Sequence, residues 1–249
     1  MLHIDERDVT RFGPGNLLAV CWRQWLAERS LARTGLRFRT TDADGILAAY
    51  AGMSEAEFDA VNGRQAWANW RTIPRSLSGH VPDRPLRVLD LGCGTGSSTS
   101  VLAFYCPAGS RITGYELAAP FVEVARRRTY LHRSGAPASV TFCCQGVAET
   151  LRGTDGTSLP DRSVDVASAS GVVGHHLDAL TVRPLAQELK RVLTPGGVAL
   201  LDIGPTLGDA ALSAVMADAG FERLGHRRSC FLDRTGQVIF RVPSHSESS

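Results

Sequence analysis

Nine residues constrain this chain more than any others: Val88-Leu89-Asp90-Leu91-Gly92-Cys93-Gly94-Thr95-Gly96. The apolar run from Leu86 to Leu91 has the length and composition of a buried parallel strand. It ends in three glycines spaced two apart. Glycine has no Cβ, so a turn there can adopt φ > 0 and a ligand can lie directly against the backbone. Ser97-Ser98-Thr99 follows and offers hydroxyls to cap a helix whose first N–H groups face the same ligand. The spacing departs from the G-x-G-x-x-G of dinucleotide sites, and Asp90 stands just ahead of it. A carboxylate at a strand end repels phosphate and suits an ammonium group. The expected ligand therefore carries a positive end.

The 249 residues, 43 % of them hydrophobic, suffice for one sizeable α/β core and an accessory segment. A net charge of +2 gives no strong electrostatic case for nucleic acid or an anionic membrane. No apolar run is long enough to span a bilayer, and the first eight residues do not read as a signal peptide. Membrane insertion is therefore not expected. The six cysteines include no C-x-x-C pair and no zinc-type spacing, so no metal site is expected. They read as free thiols in a reducing cytoplasm.

Along the chain, residues 1–84 read as helical, with apolar residues at helical spacing from Pro14 to Arg33 and a short helix from Ile46 to Ala51. Ser54-Glu55-Ala56-Glu57 has the pattern of a capping box. Pro74 and the stretch from Ser76 to Pro85 read as a linker. From residue 85 onward strands and helices alternate. Ser97 to Tyr105 is a crossover helix, and Arg111 to Glu116 is a second strand that ends in an acid. A helix from Pro120 to about Ser134 and a third strand, Ser139 to Cys144, come next. The fourth strand ends near Val172. A helix from Thr181 to Leu193, a Thr194-Pro195-Gly196-Gly197 turn and a fifth strand to Ile203 follow. A helix from Gly208 to Gly220 leads to a final hairpin turning at Asp233 to Gly236. Ser244 to Ser249 reads as a frayed tail.

Asp90, Gly92, Gly94 and Gly96 fit every fixed position of [DE]-x-G-x-G-x-G, and the chain resembles the class I S-adenosylmethionine-dependent methyltransferases. The resemblance is to the small-molecule type, with a core like that of the ubiquinone and menaquinone methyltransferases. Leu159-Pro160-Asp161-Arg162-Ser163-Val164-Asp165-Val166 and Arg191-Val192-Leu193-Thr194-Pro195-Gly196-Gly197 are similar to further stretches of that family. It implies an α/β fold: a Rossmann-like, mostly parallel seven-stranded sheet with an antiparallel C-terminal hairpin, flanked by helices. Residues 1–84 would form an N-terminal helical lid, 85–243 the cofactor-binding core and 244–249 a disordered tail.

The resemblance also implies the site. Asp90, Gly92, Cys93, Gly94 and Gly96 would hold the amino-acid end of S-adenosyl-L-methionine, leaving S-adenosyl-L-homocysteine as product. Glu116 would accept from the ribose hydroxyls and Leu117 would lie on the adenine. Many relatives carry an adenine-binding Asp where this chain has Val147, so the backbone of Val147 and Ala148 is expected to reach the adenine edge. Ser170, at the end of the fourth strand, would face the cofactor. His175 and His176 are candidates for a general base. Tyr50, Trp67, Trp70 and Arg71 of the helical segment are candidates for the acceptor pocket. The expected activity is methyl transfer to O, N or C of a small organic acceptor, in the cytoplasm. A cofactor-binding protein that does not methylate, and a protein or RNA methyltransferase, stay open. So does the choice between monomer and homodimer.

Overall fold

Arg87–Leu91 forms β1, with four of its five residues buried, inside a seven-stranded sheet. The computed structural model describes residues 1–11, 17–33, 45, 48, 52–230 and 236–244. The other strands are β2 (Arg111–Glu116), β3 (Ser139–Cys144), β4 (Val164–Ala169), β5 (Leu193–Ile203), β6 (Glu222–Arg227) and β7 (Gly236–Arg241). Their spatial order is β3-β2-β1-β4-β5-β7-β6. β1 pairs in parallel with both β2 and β4, β2 with β3, and β4 with β5. β7 alone is reversed, antiparallel to β5 on one side and β6 on the other. The order turns back between β1 and β4. At such a switch point the connections leave the two strand ends in opposite directions, which opens a crevice there.

Nine helices are found among the described residues: α1 (Glu6–Arg11), α2 (Leu17–Ala32), α3 (Glu55–Val61), α4 (Gly63–Leu77), α5 (Ser97–Tyr105), α6 (Ala119–Arg127), α7 (Val173–His176), α8 (Val182–Val192) and α9 (Asp209–Asp218). The period-two alternation of the strands sorts the core into two layers. Ala199 and Leu201 of β5 join α8 and α9 through Leu185, Leu189, Leu212 and Met216. Val198 and Leu200 point the other way and pack with Leu102 of α5 and Val122 of α6. Ile73 and Leu77 of α4, together with Leu2, Ile4 and Val9, belong to this second layer. The N-terminal helices are therefore packed into one face of the sheet.

Three local expectations change. Pro74 does not end a helix; it lies buried inside α4, which runs on to Leu77. A proline there forfeits one helical hydrogen bond. Full burial of Ile73 and Leu77 on the same turn offsets that loss. The helix from Pro120 stops at Arg127, because Arg128 is extended and Tyr130 turns its hydroxyl back onto the Ala125 carbonyl. Thr194-Pro195-Gly196-Gly197 is a bulge within β5 rather than a turn before it. Val164 pairs with Leu193 and Val166 with Val198, so β5 holds extra residues between its two ladder contacts. Gly196, at φ +79°, lets the bulge close on Val242. Apart from Ala48, which is helical, the predicted helix from Ile46 to Ala51 falls outside the described residues, as does most of the hairpin turn.

Candidate active site

The glycine loop takes the shape that its composition permits. Gly92, Gly94 and Gly96 have φ of +67°, +53° and +92°, a region L side chains avoid. Space is equally restrictive. A Cβ on Gly92 would lie 2.0 Å from Val172, one on Gly94 2.8 Å from Phe58, and one on Gly96 2.0 Å from the Tyr130 hydroxyl. The loop is thus walled by side chains from three other parts of the chain. Cys93 lies buried within it, its amide donating to the Tyr115 carbonyl at 2.9 Å, and burial pushes its thiol well above the ordinary range.

Asp90 is the penultimate residue of β1 and is fully buried. Its Oδ2 accepts from the Ser98 hydroxyl at 2.8 Å and the Thr99 hydroxyl at 2.6 Å. Those hydroxyls were expected to cap α5. Instead they serve Asp90, and Gly96 occupies the N-cap position without a side-chain hydrogen bond. Asp90 Oδ1 has no partner among the described residues. Burial pushes the carboxyl up to about 6, against the two hydroxyl contacts, which favour the charged form. An unpaired carboxylate oxygen in this position is a ready acceptor for a cation.

Glu116, at the end of β2, is also buried. Its Oε2 accepts from the Gly94 amide at 3.0 Å and its Oε1 from the Ala118 amide at 2.8 Å. The acid therefore fastens the glycine loop to β2 and keeps one further lone pair on each oxygen. Burial raises its pKa, while the amides of Ala118, Gly94 and Leu117 and the charge of His176 oppose the shift. Leu117 is half-buried, and its side chain lies near Gly146, where a Cβ would be 3.6 Å from it. Val147 packs against the core, Ala148 is exposed, and the Glu149 carboxylate folds over Gly146. Leu117 and the 146–148 turn thus lie side by side at the ends of β2 and β3.

Past β4, Ser170 is nearly buried and α7 follows. This single turn is held by a residue the sequence did not flag. Asp202, at the end of β5, accepts from the amides of Val172, Val173 and Gly174 at 3.2, 3.1 and 3.0 Å. Gly174 lies so close to β5 that a Cβ would come 2.1 Å from the Gly204 nitrogen. The two histidines diverge. His175 lies with its ring edge beside Gly204, and its carbonyl accepts from Thr206. His176 is the one whose charge is felt by Glu116.

Helices α3 and α4 cover the glycine loop. Ser54 and Glu57 form the predicted capping box at the start of α3. Phe58 sits on Gly94 and against Phe121, ring centroids 4.2 Å apart. Asp59 accepts from the Thr95 hydroxyl at 2.7 Å and from the Arg128 guanidinium at 2.6 Å. One turn into α4, Gln65 donates to Ser170 at 2.7 Å and to Asn69 at 3.0 Å, and Ser170 donates to Asn69. Between these helices and the loop lies a cavity of about 190 Å³, lined among others by Asn62, Gln65, Asn69, Gly92, Thr95 and Ser170. Asn62, Gln65 and Asn69 stand at i, i+3 and i+7, a spacing that could have been read as one helix face. Asp59 and Arg128 carried no such signal.

The candidate pocket residues of the helical segment go elsewhere. Trp70 packs edge-on against Phe104 and Tyr105 of α5. Trp67 is buried beneath the Arg71 guanidinium, which stands 3.9 Å over its ring. Burial depresses the Arg71 pKa. None of the three lines the cavity at the glycine loop. Tyr50 lies outside the described residues. Trp22 and Trp25 stack on each other and stay 60 % and 44 % exposed. Among the described residues no group of His, Cys, Asp or Glu side chains is placed to hold a metal ion, and no helix is long and apolar enough to cross a membrane.

Comparison with known proteins follows the same outline. Residues 88–197 match a family described as a methyltransferase domain. A trans-aconitate 2-methyltransferase of Rhodopseudomonas palustris is 31 % identical over 157 residues, 61 % of this chain and 52 % of the relative. The chain spans 41 % and 52 % of the length of two curated relatives that it matches. Among solved structures, an S-adenosylmethionine-dependent methyltransferase of Methanosarcina mazei superposes with a TM-score of 0.53 at 17 % identity, covering 66 % of this chain and 95 % of that one. A chain from the complex of the Haloferax volcanii Trm112 methyltransferase activator with a methyltransferase gives 0.58 at 16 % identity, covering 76 % and 95 %. At such identities the likeness is one of fold.

Proposed function

We propose that this chain, whose residues 88–197 match a methyltransferase domain, is an S-adenosylmethionine-dependent enzyme that methylates a small organic acceptor at O, N or C. The observation that carries the proposal is the buried Asp90 carboxylate with one oxygen unpartnered, next to a loop on which three glycines leave no room for side chains. That combination fits a ligand with an ammonium group lying against the backbone. Glu116 has lone pairs left for the ribose hydroxyls, and Leu117 with the 146–148 turn stands beside it, where the adenine would lie. When bound, the cofactor supplies an electrophilic methyl group, so the hard chemistry is its own.

The chain's part is to orient the nucleophile, exclude water and, where the acceptor keeps its proton, remove it. The α3–α4 cover performs the second task. Of the two histidines His176 is our candidate base, because it is the one that interacts electrostatically with Glu116 and its turn is held by three hydrogen bonds from backbone to Asp202. The small-acceptor reading rests on the cover that α3 and α4 place over the glycine loop. The Rhodopseudomonas relative, named for trans-aconitate, is consistent with that class. Incubation with methyl-labelled cofactor and a metabolite extract should place label in the low-molecular-weight fraction. Label in protein or RNA alone would redirect the acceptor assignment. A folded sample that binds no S-adenosyl-L-homocysteine would end the proposal.

A further inference from the structure

We infer that the N-terminal helices complete the cofactor site: Asn69 and Gln65 of α4 recognise the α-amino-acid end of the methyl donor across from the glycine loop. This deepens the reading above and rests on it. Asn69 is 2 % exposed and lines the cavity. Its Oδ1 takes both available donors, Gln65 at 3.0 Å and the Ser170 hydroxyl. Among the described residues, its Nδ2 has no hydrogen-bond partner. Gln65, which also lines the cavity, uses its nitrogen on Asn69 and Ser170, and among the described residues its Oε1, beside Gly171, has no hydrogen-bond partner. A buried amide that satisfies one end and leaves the other open presents that end to a ligand.

The second observation lies beneath the glycine loop, behind the opposite wall. Asp90 is fully buried and its Oδ1 is unpartnered. Gly92 and Cys93, which follow it, line the cavity. Asn69 Nδ2 offers a donor, while Gln65 Oε1 and Asp90 Oδ1 offer acceptors; together they match a zwitterion, whose carboxylate takes N–H donors and whose ammonium takes carboxylate or amide oxygens. A neutral acceptor molecule has no use for an ionised carboxylate in that place. The two walls are also fastened together: Asp59 of α3 accepts from Thr95 of the loop at 2.7 Å and from Arg128 at 2.6 Å. A molecule lying on the loop therefore touches the helices as well, and its binding is coupled to their closure.

The experiment uses two ligands that differ only in the inferred subsite. S-adenosyl-L-homocysteine carries the amino-acid end, whereas 5′-methylthioadenosine shares the adenosine and sulfur and lacks it. Calorimetric affinities are measured for the wild type, Asn69→Ala, Gln65→Ala and the near-isosteric Asn69→Asp, with melting curves to establish folding. Loss of one hydrogen bond to a charged group should weaken S-adenosyl-L-homocysteine roughly 10- to 100-fold in Asn69→Ala. Asn69→Asp should weaken it further, because a second carboxylate replaces a donor. Binding of 5′-methylthioadenosine should change less than about twofold. Unchanged affinity for S-adenosyl-L-homocysteine in folded Asn69 variants would overturn the inference and assign the amides to the acceptor. Equal losses for both ligands would also overturn it, as the mark of a scaffold role. A wild-type protein that binds neither ligand would overturn the methyl-donor reading and this inference together.

Discussion

Asp90 illustrates a conflict between stability and binding at a single residue. Its carboxyl is raised from an ordinary 3.8 to about 6 by burial. A group whose folded pKa lies above its unfolded one favours the native state below the unfolded value, and that advantage is lost as pH rises through the folded value. The unliganded protein should therefore lose up to about 3 kcal/mol from this residue between roughly pH 4 and pH 6. Asp90→Asn should flatten that part of the stability–pH curve in urea titrations and weaken cofactor binding. An unaltered slope in the variant would show that Asp90 titrates normally. Gly96 carries a steric version of the same tension. At φ +92°, with the Tyr130 hydroxyl 2.0 Å from where a Cβ would lie, Gly96→Ala meets both strain and overlap. The left-handed conformation alone costs about 1–2 kcal/mol. Adding Tyr130→Phe should recover the overlap and leave the strain, so the double variant should melt between Gly96→Ala and wild type.

Among the elements, α7 is the smallest and the most constrained. A four-residue turn has no cooperative stability of its own. Its position comes from Asp202, which takes three of its leading amides, and from Gly174, which lets it seat on Gly204. Asp202→Ala leaves those amides unpaired in a buried place and should cost roughly 2–3 kcal/mol by chemical denaturation. Hydrogen exchange at Val173 and Gly174 should rise in parallel, while the amides of α8 stay protected. Full stability in Asp202→Ala would mean that strand packing alone holds the turn. Asp202→Asn, which keeps one acceptor, should fall between the two.

The whole molecule is a sheet with two packed faces and a helical cover fastened to its ligand edge. The cover has two anchors of different character. Ile73 and Leu77 bury α4 in the core layer, whereas α3 is held by Phe58, the capping box and the half-exposed Asp59–Arg128 pair. Such partly exposed ion pairs contribute little, typically below about 1 kcal/mol, so α3 is the end expected to open first. S-adenosyl-L-homocysteine should slow amide exchange in α3 and the N-terminal half of α4 as well as in the glycine loop. Protection confined to the loop would uncouple the cover from the site. Asp59→Asn should raise the exchange of α3 in the unliganded protein with little change at Ile73 and Leu77.

How much of this was legible beforehand follows from the range of the interactions. The glycine run, the acid ending β2 and the alternation of strands and helices are local signals, because backbone conformation and period are written in neighbouring residues. They sufficed for β1 to β4, most of β5 and the largely parallel character of the sheet. The capping box at Ser54 was readable for the same reason. What Asp90 would share with Ser98 and Thr99, and that Glu116 would fasten Gly94, depended on which side chains met across the loop. The Asn69–Gln65–Ser170 triangle joins residues about a hundred positions apart, and the Asp202 clasp on α7 joins residues about thirty apart. No period or spacing encodes such meetings. Trp70 shows the same limit: helical spacing placed it on a face, and only the packing of α4 on α5 decided that the face belonged to the core. The chain's order of residues determined its sheet and its glycine hinge through backbone chemistry, while the wall opposite that hinge came into being only when two distant helices were brought down upon it.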